Sequence, residues 1–148
     1  MENKILKMSA DINAPAEAVW DVLVKDELNR QWYAAFSEGS HAETDWQQGS
    51  RVIFTDDSKR GVTGILTTVE PYKIIYIDYD GEVVNGQAEL NSQDAMVGAH
   101  ESYVLAHKNG VTHLDVELGV PDEYAEMMEE MWKKALPILK QLAENLNK

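Results

Sequence analysis

Residues 99–118 read Ala99-His100-Glu101-Ser102-Tyr103-Val104-Leu105-Ala106-His107-Lys108-Asn109-Gly110-Val111-Thr112-His113-Leu114-Asp115-Val116-Glu117-Leu118. Asn109-Gly110 is a two-residue hairpin signal, because both residues accept the positive φ that the turn requires. The flanking segments, 99–108 and 111–118, then pair antiparallel in one register. Lys108 falls opposite Val111, Leu105 opposite Leu114, Tyr103 opposite Val116 and Glu101 opposite Leu118. Leu114, Val116 and Leu118 alternate with His113, Asp115 and Glu117, so the first set faces an interior. Leu105, Tyr103 and, unexpectedly for an acid, Glu101 face inward with them.

The segment after this hairpin, 121–146, has helical period. Pro121 suits a first helical turn, and Asp122 and Glu123 favour the positive end of the helix dipole. Tyr124, Met127, Met128, Met131, Trp132, Ala135, Leu136, Ile138, Leu139, Leu142 and Leu146 form a broad apolar stripe. About 25 residues of helix span ~38 Å, enough to cross a small domain. Pro137 removes one backbone hydrogen bond from this helix and is expected to kink it.

Upstream, 5–12 reads as a strand. Two short helices follow, the first opened by Pro15 with Glu17 in its first turn and Val19, Trp20 and Leu23 on one face, the second over 27–33. The second ends in an aromatic cluster, Trp32-Tyr33 with Phe36. From 41 to 118 the signals are those of strands. A turn at 46–50 contains Gly49, and strands over 51–55, 62–69 and 74–79 are rich in β-branched and aromatic residues. The polar segment 81–94 reads as a loop or a weak strand. The order is strand, two short helices, a run of antiparallel strands and one long helix, an α+β arrangement with a helix laid on a sheet of about six to seven strands.

A chain of 148 residues, 44 % apolar and 26 % charged, suits one domain, 1–148, with a core of its own. Its formal charge of −13, from 26 acids and 13 bases, repels phosphate backbones and anionic membrane surfaces. Lys133-Lys134 is the nearest approach to a basic run, so nucleic acid is not an expected partner. The absence of cysteine excludes disulfides, thiolate metal sites and a cysteine nucleophile. Met1-Glu2-Asn3-Lys4 leads into no apolar h-region, and no apolar run approaches the ~20 residues of a membrane span. A cytoplasmic location without membrane insertion is the expectation.

The pieces resemble the START-like (SRPBCC) superfamily, and within it the branch similar to the C-terminal domain of the activator of heat-shock-protein-90 ATPase. The resemblance rests on Ala14-Pro15 followed by Val19-Trp20 and Leu23, then Trp32, then Asp45-Trp46 with Gly49. It continues through Gly64-Ile65-Leu66, Val69-Glu70-Pro71 and Ile74-Ile75-Tyr76, then Gly110-Val111-Thr112 with Leu114, and ends at Trp132, Leu136, Leu139 and Leu142. It implies a helix-grip fold, a curved antiparallel sheet around the C-terminal helix. It also implies a cavity between them that in relatives holds apolar molecules such as lipids, sterols or polyketides. Pro137 and 81–94 depart from the pattern. The chain is too short for the additional N-terminal domain of the chaperone activator, which argues against direct ATPase stimulation.

Chemical motifs are sparse. His41, His100, His107 and His113 share no metal-ligand spacing, and His113 faces away from the interior. Asp78-Tyr79-Asp80-Gly81-Glu82 lacks the ligand series of a calcium loop and reads as a solvated turn. Gly61-Val62-Thr63-Gly64 is not a phosphate loop, and no serine sits on a nucleophile elbow. No metal or cofactor is therefore expected. Glu101 is the one candidate for proton transfer or for orienting a ligand's polar end. The alternatives are that it is solvated at a rim or paired with Arg51. Tyr103, two residues along the same face, is a second polar anchor.

Trp32, Trp46, Phe54, Tyr79, Tyr103 and Trp132, with Met127, Met128 and Met131, read either as core or as the wall of a pocket. The ligand-contacting set is expected to be Phe54, Tyr79, Glu101, Tyr103, Met128, Met131 and Trp132. The leading expectation is binding of a small apolar molecule. Next is a chaperone-associated interaction protein with a protein partner, and then a cyclase/dehydrase-type enzyme using Glu101. The oligomeric state is not encoded in any motif.

Overall fold

In the computed structural model, which describes residues 3–90 and 98–146, Asn109 and Gly110 turn the chain at φ of 53° and 80°. The pairing that follows is the one their spacing dictates: Lys108 with Val111, Leu105 with Leu114, Tyr103 with Val116 and Glu101 with Leu118. Around this hairpin the chain runs β1 (Asn3–Ile12), α1 (Ala16–Val24), α2 (Asp26–Tyr33), β2 (His41–Glu43), β3 (Arg51–Thr55), β4 (Gly61–Glu70) and β5 (Ile74–Val84). It continues through β6 (Gln87–Leu90), β7 (His100–Lys108), β8 (Val111–Pro121) and α3 (Asp122–Leu146). Among the described residues the strands form one antiparallel sheet in the order β1-β8-β7-β5-β4-β3-β2, with β6 added beside β5.

The sheet is curled into a half-barrel around α3, the α+β helix-grip arrangement. Two register shifts between β4 and β5, at Thr63/Gly64 and at Leu66/Thr68, contribute to that curl, since each bulge bends its strand and adds twist. At the first, a Cβ on Gly64 would lie 2.3 Å from the Asp78 carbonyl oxygen, so only glycine admits this approach of the two backbones. The concave face carries Val52, Leu66, Ile75, Ile77, Leu114, Val116 and Leu118, all buried.

The helix buries Ala125, Trp132, Ala135, Leu139 and Ala143, a stripe of period three to four. The expected stripe is thus corrected at both sides. Ala125 and Ala143 belong to it, where small side chains let the helix approach closely, whereas Met127 is 49 % exposed, Ile138 38 % and Leu146 47 %. Ile138 projects off the packed face, Met127 is half-exposed, and Leu146 ends the helix. Pro137 lies inside α3, which continues past it to Leu146.

Two further expectations are corrected, and the reading of 81–94 as a loop or a weak strand is sharpened. Pro121 closes β8 and Pro15 is an extended cap before α1, at φ −70° and ψ 162°; neither is a helical residue. Residues 78–82 form no solvated turn, because they lie within β5, where Asp80 is held by Arg51. Residues 81–84 continue β5, and 87–90 pair back on it as β6 after a turn at Asn85 and Gly86, with φ of 54° and 79°. The rest of the 81–94 segment, from 91, lies outside the described residues.

Candidate functional site

The wall opposite the sheet begins at the end of α2. The Trp32 indole N–H donates to the Val22 carbonyl at 2.9 Å, and the Asn29 amide donates to the Leu23 carbonyl at 2.9 Å. These bonds pin α2 to the last turn of α1, so the aromatic cluster that follows has a fixed direction. Trp32 packs edge-on against Tyr33, with centroids 4.4 Å apart, and tilted against Trp132 of α3 at 5.6 Å. From the sheet, Phe54 of β3 packs edge-on against Tyr79 of β5 at 6.1 Å, and Tyr103 of β7 lies 6.0 Å from Trp132. Edge-to-face contacts of this kind hold large rings in defined orientations.

These rings line a cavity of about 410 Å³ that is open to solvent on one side, within the range of small-molecule sites. Phe54, Tyr79, Glu101, Tyr103, Met128, Met131 and Trp132, singled out in the sequence, all line it. So do Tyr33, Phe36, Val62, Tyr124 and Met127, which that set omits. For Tyr33 and Phe36 the signal is the aromatic cluster at the end of α2, which must face something apolar. Trp46 does not line this cavity; it borders a polar surface groove with Asn29 and His41.

Among the described residues Glu101 is the only charged one lining the cavity. It is 8 % exposed, and in register it sits between Ile77 and Leu118, both buried. The Tyr79 hydroxyl donates to its Oε1 at 3.3 Å, and the Tyr103 hydroxyl donates to its Oε2. Neither alternative weighed from the sequence therefore holds. Glu101 is not solvated at a rim, and Arg51 binds Asp80 of β5 instead, across β4, at 2.8 Å and 3.0 Å. Burial raises the Glu101 pKa above the usual carboxylate value, and the two tyrosine hydrogen bonds oppose that rise. Tyr79 and Tyr103 are pushed well above the ordinary tyrosine value by burial and then by the Glu101 charge, and Tyr33 is raised by the same two causes. All three stay protonated and remain O–H donors at neutral pH. The Trp132 indole N–H is buried and has no hydrogen-bond acceptor among the described residues.

The histidines lie elsewhere. His113 bridges Asp11 at 2.7 Å and Asp115 at 3.0 Å on the outer face, and His100 meets Glu117 at 2.9 Å while stacking on Tyr76. Among the described residues no cluster of acids and histidines converges as a metal site, and no helix is long and apolar enough to cross a membrane.

The family described as activator of Hsp90 ATPase homolog 1-like protein matches residues 13–144. No curated protein matches the sequence. Solved structures resemble the fold at low identity. Protein MLL2253 from Mesorhizobium loti is 20 % identical with a TM-score of 0.72, the match covering 96 % of this chain and 98 % of that one. The Aha1 dimer from Colwellia psychrerythraea gives 17 %, 0.69, and 97 % and 96 % coverage. CalU16 from Micromonospora echinospora gives 15 %, 0.68, and 95 % and 76 % coverage.

Proposed function

The chain belongs to the activator of Hsp90 ATPase homolog 1-like family, and from that premise we propose that it binds a small, mostly apolar molecule between the sheet and α3. The observation that carries this reading is the cavity itself. Its wall is aromatic and methionine-rich, with one hydrogen-bonded carboxyl on the sheet side. Apolar walls supply affinity through removal of surface from water, and a few convergent polar groups supply orientation. Glu101, Tyr79 and Tyr103 take that second role. Met127, Met128 and Met131 supply a flexible, polarizable wall that adapts to the ligand's outline.

Native mass spectrometry of freshly purified protein, before and after denaturation, tests this together with titration of the neutral apolar dye Nile red. The expected result is a co-purified mass lost on denaturation, or saturable dye binding that a Val62→Trp substitution in the wall abolishes. A clean mass together with no saturable dye binding would overturn the reading.

The family match favours a second reading, a chaperone-associated interaction protein. Its test is co-purification with the Hsp90 of the same cell; a chaperone that fails to be retained at micromolar protein removes it.

A further inference from the structure

The geometry points to an organic cation as the occupant of this cavity: an amine or quaternary ammonium carrying an apolar chain or ring, its charged nitrogen beside Glu101 and its apolar part against the methionines of α3. The inference rests on the cavity reading above and narrows it to one ligand chemistry.

The cavity holds an acid and no base. Among the described residues no lysine, arginine or histidine lines it. Among the described residues Glu101 makes no ion pair, and Arg51, the partner weighed from the sequence, has both terminal nitrogens on Asp80. Both hydroxyls that reach Glu101 donate to it, one at each oxygen. The carboxyl is thus arranged as an acceptor at both ends, the arrangement of a carboxylate. Two neutral hydrogen bonds stabilise that charge without cancelling it. A buried carboxylate without a countercharge is costly, and near neutral pH a bound cation offsets that cost and keeps the group ionised.

The rest of the wall fits the same occupant. Tyr33, Phe54, Tyr79, Tyr103 and Trp132 line the same cavity as the carboxyl, and Tyr79 and Tyr103 touch it. Ring faces attract a positive charge, most strongly where water is excluded, and cages of such rings recognise ammonium groups. An anionic head would meet Glu101 at close range in a weakly screened interior. A neutral hydroxyl could bond to the carboxylate but would leave its charge uncompensated. The whole chain, at −13, also draws cations rather than anions toward the entrance.

Three matched probes decide the matter: decyltrimethylammonium, decanol and decanoate, each displacing Nile red at pH 7.5 and below its micelle concentration. The expected order is ammonium first, by roughly tenfold over decanol, with decanoate weakest. Glu101→Gln, which keeps the shape and accepts from the tyrosines, is expected to erase the ammonium advantage and leave decanol nearly unchanged. It removes one of 26 acids, so binding of ammonium to the general surface charge would survive it. Decanol matching or exceeding the ammonium in the wild-type protein would overturn the cation assignment while leaving the apolar cavity in place. No bound dye and no binding of any probe would overturn both. If Glu101→Gln does not fold, the wild-type order still decides.

Discussion

Arg51 holds Asp80 through both terminal guanidinium nitrogens, at 2.8 Å and 3.0 Å, while also donating to Thr63 at 3.1 Å. This clasp ties β3 to β5 across β4. Asp80→Asn keeps the volume and removes the charge. Both partners are about one-third exposed, so the expected loss is modest, about 1 kcal/mol, as for a bidentate pair near the surface. Urea denaturation of the variant and the wild type measures it, and the loss should shrink as salt is added.

Glu101 is expected to set a pH dependence of opposite sign to that of an ion-paired acid. Its native pKa is raised, mainly by burial. The contribution to stability is therefore full below its ordinary value of 4.5 and is lost as pH rises through the raised native value. Glu101→Gln removes that loss. Relative to the wild type, its melting temperature should be more favourable at pH 8 than at pH 4. A difference that stays constant between the two would show that burial does not penalise the charge.

His113 is expected to act at the outer face with a raised pKa, through hydrogen bonds with Asp11 first and Asp115 second. Its contribution is full below the ordinary histidine value of 6.5 and disappears as pH rises through the higher native value. His113→Gln should be less stable than the wild type at pH 5.5 and nearly equal to it at pH 9, in paired thermal melts. Because the site is exposed, high salt should narrow the gap.

The two faces of α3 are expected to respond very differently to truncation. Leu139 is fully buried and Met127 is 49 % exposed. Leu139→Ala should cost about 2–5 kcal/mol through lost burial and an unfilled void, and Met127→Ala should stay within about 0.5 kcal/mol. Equal losses in urea denaturation would place the helix on its other face.

The sequence states the β7–β8 register outright, because Asn109-Gly110 permits only a tight turn and the alternation beyond it chooses the faces. An inward acid is thereby legible in the order of residues alone. The same dipeptide at Asn85-Gly86 marks the β5–β6 turn, but polar residues around it mask the signal, since β6 is exposed on both faces and carries no alternation. The misreading of residues 78–82 has a related origin. Acids with a glycine suggest a loop until Arg51, 29 positions away, neutralises Asp80. No local pattern reports such a partner. The breadth of the α3 stripe misleads for another reason: periodicity marks which residues are apolar, whereas the close approach of alanines, at Ala125 and Ala143, decides which are covered. The members of the cavity wall were legible as aromatic and methionine residues. The space between them was not, since packing density belongs to the tertiary arrangement.

The pairing of β1 with β8 also has a consequence in time. His113 meets Asp11 across 102 positions of chain, and Thr112 meets Ala14 across 98. The first strand leaves the ribosome long before its partner exists, and its edge stays unsatisfied until the hairpin at Asn109-Gly110 has been made. Closure over so long a loop delays the reward for ordering the chain. The nascent protein is thus expected to be a late folder, its sheet and the cavity behind it completed together, when α3 arrives to cover them.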